Sequence, residues 1–163
     1  MSGAIGIRPA GPGDAAVLLG LIRALAEYER MLDEVVADEQ DIARALAGEA
    51  PAVRALIAEA AGKPVGFALY FFNFSTFLGR QGLYLEDLFV LPERRGERIG
   101  RRLMEALARE ARAMGAQRMD WAVLEWNEPA IGFYRRLGAA PLADWRGWRL
   151  EGPALDRLAG EGD

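Results

Sequence analysis

Carboxylates and tyrosines are the side chains that could move protons in this chain, because it contains no histidine and no cysteine. Their absence excludes imidazole bases, thiolate nucleophiles, sulfur-ligated metals and disulfides. Lys63 is the only lysine, and its Gly-Lys-Pro setting is typical of a turn rather than of a Schiff-base site. Proton transfer must therefore use Asp, Glu, Tyr, Lys, water or a chain terminus, and no metal is predicted.

Glu86 and Asp87 interrupt an otherwise apolar run from Gly82 to Leu91. The composition of this run predicts a strand. A carboxylate inside such a strand is costly unless it faces a cleft, which favours a functional role for Glu86. Alternation along the strand places Asp87 on the other face, where it is either structural or a contact for a cationic substrate.

Arginines cluster between the end of this strand and the helix predicted to follow it. They are Arg94, Arg95, Arg98, Arg101 and Arg102. Basic side chains at a helix start oppose the positive end of the helix dipole. A phosphate-bearing ligand held by backbone N–H groups would explain them, and Gly96 and Gly100 would let the backbone approach it closely. A charged surface turn is the alternative. The spacing is neither that of a P-loop nor that of a dinucleotide fingerprint.

The spacing of apolar residues predicts the order β α α β β β α β α β, followed by a short terminal helix, which is typical of a mixed α/β sheet. The predicted strands are 4–8, 53–59, 65–74, 82–91, 119–124 and 145–150. The predicted helices are 15–29, 38–46, 98–114, 128–137 and 153–159. Asp14 and Asn127 are predicted helix N-caps.

Composition places the chain among ordinary globular domains. It has 163 residues, of which 52% are apolar, which predicts one domain over residues 1–163. The net charge of −4 argues against nucleic-acid binding. Its apolar runs are too short to span a bilayer, and its first residues lack the pattern of a secretory signal, so we expect a cytoplasmic location.

The segment from Arg95 to Gly100 resembles the pyrophosphate loop of the GNAT acetyltransferases, Gln/Arg-x-x-Gly-x-Gly/Ala. The segments from Tyr84 to Val90 and from Glu125 to Ala139 are similar to the polyamine (spermidine/spermine, or diamine) N-acetyltransferase branch of that superfamily. Shorter similar segments extend the resemblance over nearly the whole chain. They are 7–10, 25–29, 65–71 and 147–149.

The resemblance implies a GNAT fold, with a mixed and mostly antiparallel sheet, a splayed strand pair and flanking helices. It implies acetyl-CoA as the acetyl donor and a set of donor-binding residues. These are Leu88, Phe89, Val90, Arg95, Gly96, Glu97, Arg98, Ile99, Gly100, Arg101 and Asn127. The family has glycine at the position of Arg98. We expect Arg98 to start the helix, where right-handed torsions need no glycine.

The reaction that the resemblance implies needs a neutral amine, whereas at pH 7 only roughly one alkylamine in two thousand is unprotonated. We assign Glu86 as the base that removes this proton, directly or through water. Tyr134 matches the general acid of the family and would protonate the leaving thiolate. Attack on the thioester is expected to be direct, because no cysteine exists to carry the acetyl group.

For the amine acceptor, the resemblance implies a site formed by Tyr28 and Glu29, to which Glu86, Asp87 and the segment Asp120, Trp121 and Ala122 are added. Arg146 stands where polyamine enzymes of the family carry a carboxylate, and Phe77 where they carry tryptophan. These changes favour a shorter diamine, a lysine-like amino acid or another small amine over spermidine. A protein or peptide amine, and a CoA-binding sensor without turnover, are the alternatives. The resemblance also implies a homodimer.

Overall fold

A five-stranded sheet organises the first of the two units into which the chain divides. The computed structural model describes residues 3–161; the first unit ends at Ala122 and the second begins at Val123. The strands are β1 (Ile5–Pro9), β2 (Arg54–Ala60), β3 (Lys63–Ser75), β4 (Arg80–Val90) and β5 (Met119–Asp120). They lie in that order, the first four antiparallel and β5 parallel to β4. The predicted mixed, mostly antiparallel sheet is confirmed.

Helices α1 (Ala15–Tyr28), α2 (Glu39–Leu46) and α3 (Ile99–Ala113) flank this sheet. The apolar stripe of α1 packs through Leu18 and Leu21 on Ile57, Phe67 and Leu69. Consecutive side chains, which point to opposite faces of the sheet, are buried along β2 and β3, so both faces are covered. None of the helices in residues 3–161 is long and apolar enough to cross a membrane.

The second unit contains two helices, α4 (Glu128–Arg136) and α5 (Gly152–Ala159). Both were predicted, but the strand predicted at 145–150 is wrong. The structure assigns no strand or helix there, and Trp145 and Trp148 are 79% and 92% exposed. A strand needs a partner for its backbone hydrogen bonds, and residues 123–161 include no other strand. For the same reason the strand predicted at 119–124 is reduced to Met119–Asp120, the two residues that pair with β4.

Asp14 precedes α1 as predicted, but its carboxylate does not cap that helix. It accepts hydrogen bonds of 2.8 and 3.1 Å from the guanidinium of Arg8 and one of 2.9 Å from the backbone N–H of Gly11. Arg8 also donates to Glu59, at 2.9 Å. Because Asp14 ends a short 3-10 turn that starts at Pro12, its side chain ties α1 to the edge of the sheet instead of to its own helix.

A β-bulge at Glu86 changes the facing of the residues around it. Leu69 of β3 pairs with Asp87 and Tyr70 pairs with Leu85, so Glu86 has no partner across the ladder. Asp87 consequently lies on the side of Leu69, which is the side covered by α1. The simple alternation that we expected between Glu86 and Asp87 is therefore interrupted, and Glu86 is exposed.

Gly66 of β3 lies opposite Val90 without room for a side chain. A Cβ there would come within 2.7 Å of the Phe89 carbonyl oxygen and 3.3 Å of the Val90 Cα. Because backbone atoms would have to move, we expect Gly66→Ala to lower the free energy of unfolding by about 2 kcal/mol in urea titrations. Gly6→Ala is the matched control, since a Cβ on that β1 residue meets nothing within 4 Å. Equal stability of the two variants would contradict this tight approach of β3 and β4.

Candidate active site

Side chains from the end of α1 and from β4 meet on one side of the sheet. The rings of Tyr28 and Phe89 lie with their centroids 6.3 Å apart. Glu29 follows Tyr28, and its charge acts on Asp87, as does the charge of Glu86. The structure thus brings together four residues predicted for acceptor binding (Tyr28, Glu29, Glu86 and Asp87) and adds the ring of Phe89.

Asp87 has the most perturbed carboxyl group of this cluster. Burial is the largest cause that raises its pKa from 3.8 to about 6, and the charges of Glu86 and Glu29 act in the same direction. Burial also raises the pKa of Glu29. No cation in residues 3–161 is within ion-pair distance of the Asp87 carboxylate. A carboxylate in this setting can attract an ammonium group and accept a proton close to neutral pH.

The edge of β4 that faces away from β3 is only partly paired. β5 pairs with it at Leu83 and Tyr84 alone, and no strand of the described chain continues that ladder from Leu85 to Val90. An unpaired edge presents backbone N–H and C=O groups that an extended ligand can use as a further strand would. The predicted donor-binding residues Leu88, Phe89 and Val90 lie along this open edge.

The arginines around the start of α3 differ in what they bind. Three of them have partners within the chain: Arg94 binds Glu97, Arg101 binds Glu105, and Arg102 donates to the Ile5 carbonyl oxygen. Arg95 and Arg98 are exposed and have no carboxylate partner between residues 3 and 161. The positive charge available to an anion at this helix start is therefore that of Arg95 and Arg98.

The backbone conformation of Arg98 differs from the helical one that we predicted. Arg98 precedes the helix, which begins at Ile99, and its torsions are left-handed, with φ 62° and ψ 17°. A residue with a Cβ pays about 1–2 kcal/mol for that conformation, whereas glycine does not. No side chain caps α3, and helix geometry leaves the N–H groups of Ile99, Gly100 and Arg101 without intrahelical acceptors. Such groups are suited to an anionic oxygen.

Residues 20–139 match the acetyltransferase (GNAT) family. The chain belongs to the GNAT acetyltransferase family. It is 42% identical to the thialysine N-epsilon-acetyltransferase of Bos taurus, over 95% of this chain and 97% of that protein. The protein of the same name from Sus scrofa is 41% identical over the same shares. Among solved structures, an integron cassette protein from the mobile metagenome of V. cholerae has a TM-score of 0.79 and 31% identity, covering 95% of this chain and 97% of that one.

The second unit of this acetyltransferase carries two predicted residues on one helix. Asn127 is the N-cap of α4, and its side-chain oxygen accepts a hydrogen bond of 3.4 Å from the N–H of Ala130. Tyr134 lies seven residues later, two turns along the same face and roughly 10 Å along the axis. The ring of Phe133 lies with its centroid 5.3 Å from that of Tyr134. The predicted cap is confirmed.

Asp120 and the residues after it are separated from the Tyr28 and Asp87 cluster. Asp120 pairs in the sheet with Tyr84, three residues and therefore about 10 Å along β4 from Asp87. Its carboxylate already binds Arg118 at 3.3 Å. Trp121 is half-buried and Ala122 is exposed. A role of Asp120, Trp121 and Ala122 in acceptor binding in the acetyltransferase stays a prediction.

One contact of the acetyltransferase site was missed by the sequence reasoning. The guanidinium carbon of Arg95 lies 4.4 Å from the Tyr28 ring centroid and 5.7 Å from that of Phe89. No spacing rule relates residue 28 to residue 95, so only the tertiary structure reveals this contact. Arg95 therefore belongs to the loop that resembles the pyrophosphate loop of the family and at the same time contacts Tyr28, one of the residues predicted for acceptor binding.

Proposed function

We propose that this acetyltransferase acetylates the terminal primary amine of a lysine-like amino acid or a short diamine. The observation that carries the proposal is the desolvated Asp87 carboxyl group, on which the charge of Glu29 acts, on the same side of the sheet as the Phe89 ring that contacts Tyr28. Carboxylates and an aromatic face are the groups that attract an ammonium ion. The name of the most similar relatives reported above, thialysine N-epsilon-acetyltransferase, supports an amine at the end of a lysine-like side chain.

In this proposal Asp87 accepts the proton of the bound ammonium group. Its raised pKa of about 6 leaves it mostly ionised above pH 7, yet brings it nearer to the pKa of an amine than an ordinary aspartate would be. Glu86, the base predicted from the sequence, is exposed at the bulge. If Glu86 is the base instead of Asp87, it would act through water. The variants Asp87→Asn and Glu86→Gln distinguish these two assignments.

The donor, acetyl-CoA, fits two features of the first unit. The open edge of β4 from Leu85 to Val90 can pair with the pantetheine arm. The uncapped start of α3, with the charges of Arg95 and Arg98, suits the pyrophosphate. The neutral amine would then attack the thioester carbon, the new C–N bond would form as the C–S bond breaks, and Tyr134 would give a proton to the departing thiolate.

A panel of amines offered with acetyl-CoA tests this function through the release of free thiol. We expect thialysine, lysine and short diamines to give kcat/KM values at least about tenfold above that of spermidine, because Arg146 adds a positive charge where polyamine enzymes carry a negative one. Lysine-containing peptides are the control for a protein acceptor. Release with peptides alone would favour the protein acceptor, and CoA binding without turnover of any amine would favour the sensor alternative.

Two further expectations do not depend on the site. The homodimer implied by the family resemblance and the cytoplasmic location inferred from the sequence stay predictions. Sedimentation velocity of the purified chain tests the first of them, and a mass of one chain at micromolar concentration would contradict it.

A further inference from the structure

Arg95 lies with its guanidinium on two aromatic rings. Its guanidinium carbon is 4.4 Å from the centroid of Tyr28 and 5.7 Å from that of Phe89. Its Nε donates a hydrogen bond of 3.3 Å to the carbonyl oxygen of Val90, which holds the group in this position. A cation thus already covers these ring faces, at the distance at which cations bind aromatic rings.

The covered rings border the acceptor carboxylates. Tyr28 is followed directly by Glu29, and Phe89 lies two residues beyond Asp87 on the side of the sheet that α1 covers. An acceptor ammonium group attracted by these carboxylates would compete with the Arg95 guanidinium for the same rings, because two positive charges on one ring face repel each other.

The loop that contains Arg95 leads directly into the start of α3. Arg95 lies three residues before the N-cap Arg98, in a loop where Arg94 is held by Glu97 through two hydrogen bonds of 2.6 Å. Arg95 is not held by a carboxylate within residues 3–161. Charge-assisted, two-pronged bonds to a phosphate are stronger than contacts with a ring face, so a phosphate at the helix start would draw the guanidinium away from Tyr28.

We propose that Arg95 couples the two substrates: its guanidinium covers the Tyr28 and Phe89 rings until a phosphate of the donor draws it to the start of α3, which opens these rings to the acceptor amine. The inference rests on the proposed function for the identity of the acceptor. It makes donor binding favour acceptor binding, and by linkage the acceptor must tighten donor binding by the same factor.

Calorimetric titration of thialysine into the protein, with and without saturating CoA, measures this coupling. We expect CoA to tighten thialysine binding about tenfold in the unaltered chain and less than about twofold in Arg95→Ala, which should bind thialysine tightly even without CoA. Arg109→Ala is the control for net charge, because Arg109 is exposed on α3 away from this loop; it should keep the tenfold coupling. Equal coupling in Arg95→Ala and the unaltered chain would overturn the proposal.

A second measurement needs no acceptor and therefore separates this inference from the proposed function. The Nε–H resonance of Arg95, assigned by its loss in Arg95→Lys, should be displaced upfield by the ring of Tyr28 and should return toward its ordinary position when CoA is added. A resonance that saturating CoA leaves unmoved would overturn the coupling role even if thiol release is normal. Movement of the resonance without turnover of any amine would support the role of Arg95 and count against the proposed acceptor.

Discussion

Asp87→Asn is expected to lower kcat/KM for the preferred amine by about a hundredfold or more at pH 7.5, the usual scale for the loss of a general base. The variant keeps the size and polarity of the side chain but can no longer accept a proton. Its CoA affinity should change little, because Asp87 is not among the groups at the start of α3. Initial rates of thiol release and calorimetric titration of CoA measure the two quantities.

The pH dependence of Asp87→Asn should identify the base. In the unaltered enzyme kcat/KM should fall as pH drops through about 6, because Asp87 becomes protonated there. This limb should be absent from Asp87→Asn and present in Glu86→Gln. If Glu86 is the base instead, the limb should disappear from Glu86→Gln. Asp156→Asn is the matched control, since that carboxylate is exposed on α5 and has no proposed part in the reaction; its activity should stay within about threefold of the parent.

The same substitution should also change stability, with a sign that follows from the raised pKa. Ionised Asp87 is disfavoured in the folded chain, so folding loses stability as pH rises from the unfolded pKa of 3.8 through the folded pKa of about 6. Asp87→Asn should therefore raise the free energy of unfolding by about 3 kcal/mol at pH 8 and have no such effect below about pH 3, where both states are protonated. If Asp87→Asn is less stable than the unaltered chain at pH 8, the ionised Asp87 carboxylate must be stabilised in the folded chain, and the argument from its burial would be wrong.

The helices were predictable because their apolar residues and flanking glycines encode them locally. The stripe from Ile99 through Leu103 and Leu107 is fully buried on α3, and Gly115 follows that helix with φ 75°. The antiparallel strands were predictable for a similar reason, since the turn at Gly62 joins β2 and β3 directly. These features depend on residues that are close in sequence, so the amino-acid sequence alone is enough to predict them.

The properties that define the site depend on residues far apart in sequence. The bulge at Glu86 exists only in the register of β4 against β3, so alternation within β4 alone could not place Asp87 beside Leu69. Arg98 was expected to be helical because a helix follows it, yet its torsions are those of a turn. The segment 145–150 has a strand-like pattern, but without a partner strand in its unit the pattern is insufficient. Tertiary pairing, rather than composition, decided each case.

Tyr134→Phe is expected to lower kcat by about a hundredfold at pH 7 while leaving CoA affinity unchanged. The substitution removes only the hydroxyl and keeps the ring that lies 5.3 Å from Phe133, so α4 should fold as before. Tyr84→Phe is the matched control, because the Tyr84 ring stacks on Phe71 at 5.1 Å in the sheet and its hydroxyl has no proposed part in the reaction. That variant should retain the parental kcat.

The size of the Tyr134→Phe effect should depend on pH in a way that a structural defect would not. A thiol has a pKa of about 8.5, so the departing thiolate needs a proton below that pH and can leave without one above it. The deficit in kcat should therefore shrink between pH 7 and pH 9.5. A deficit that stays constant over this range and comes with weaker CoA binding would assign Tyr134 to positioning the donor. An unchanged kcat at pH 7 would remove it from the reaction, and the leaving thiolate would then take its proton from water.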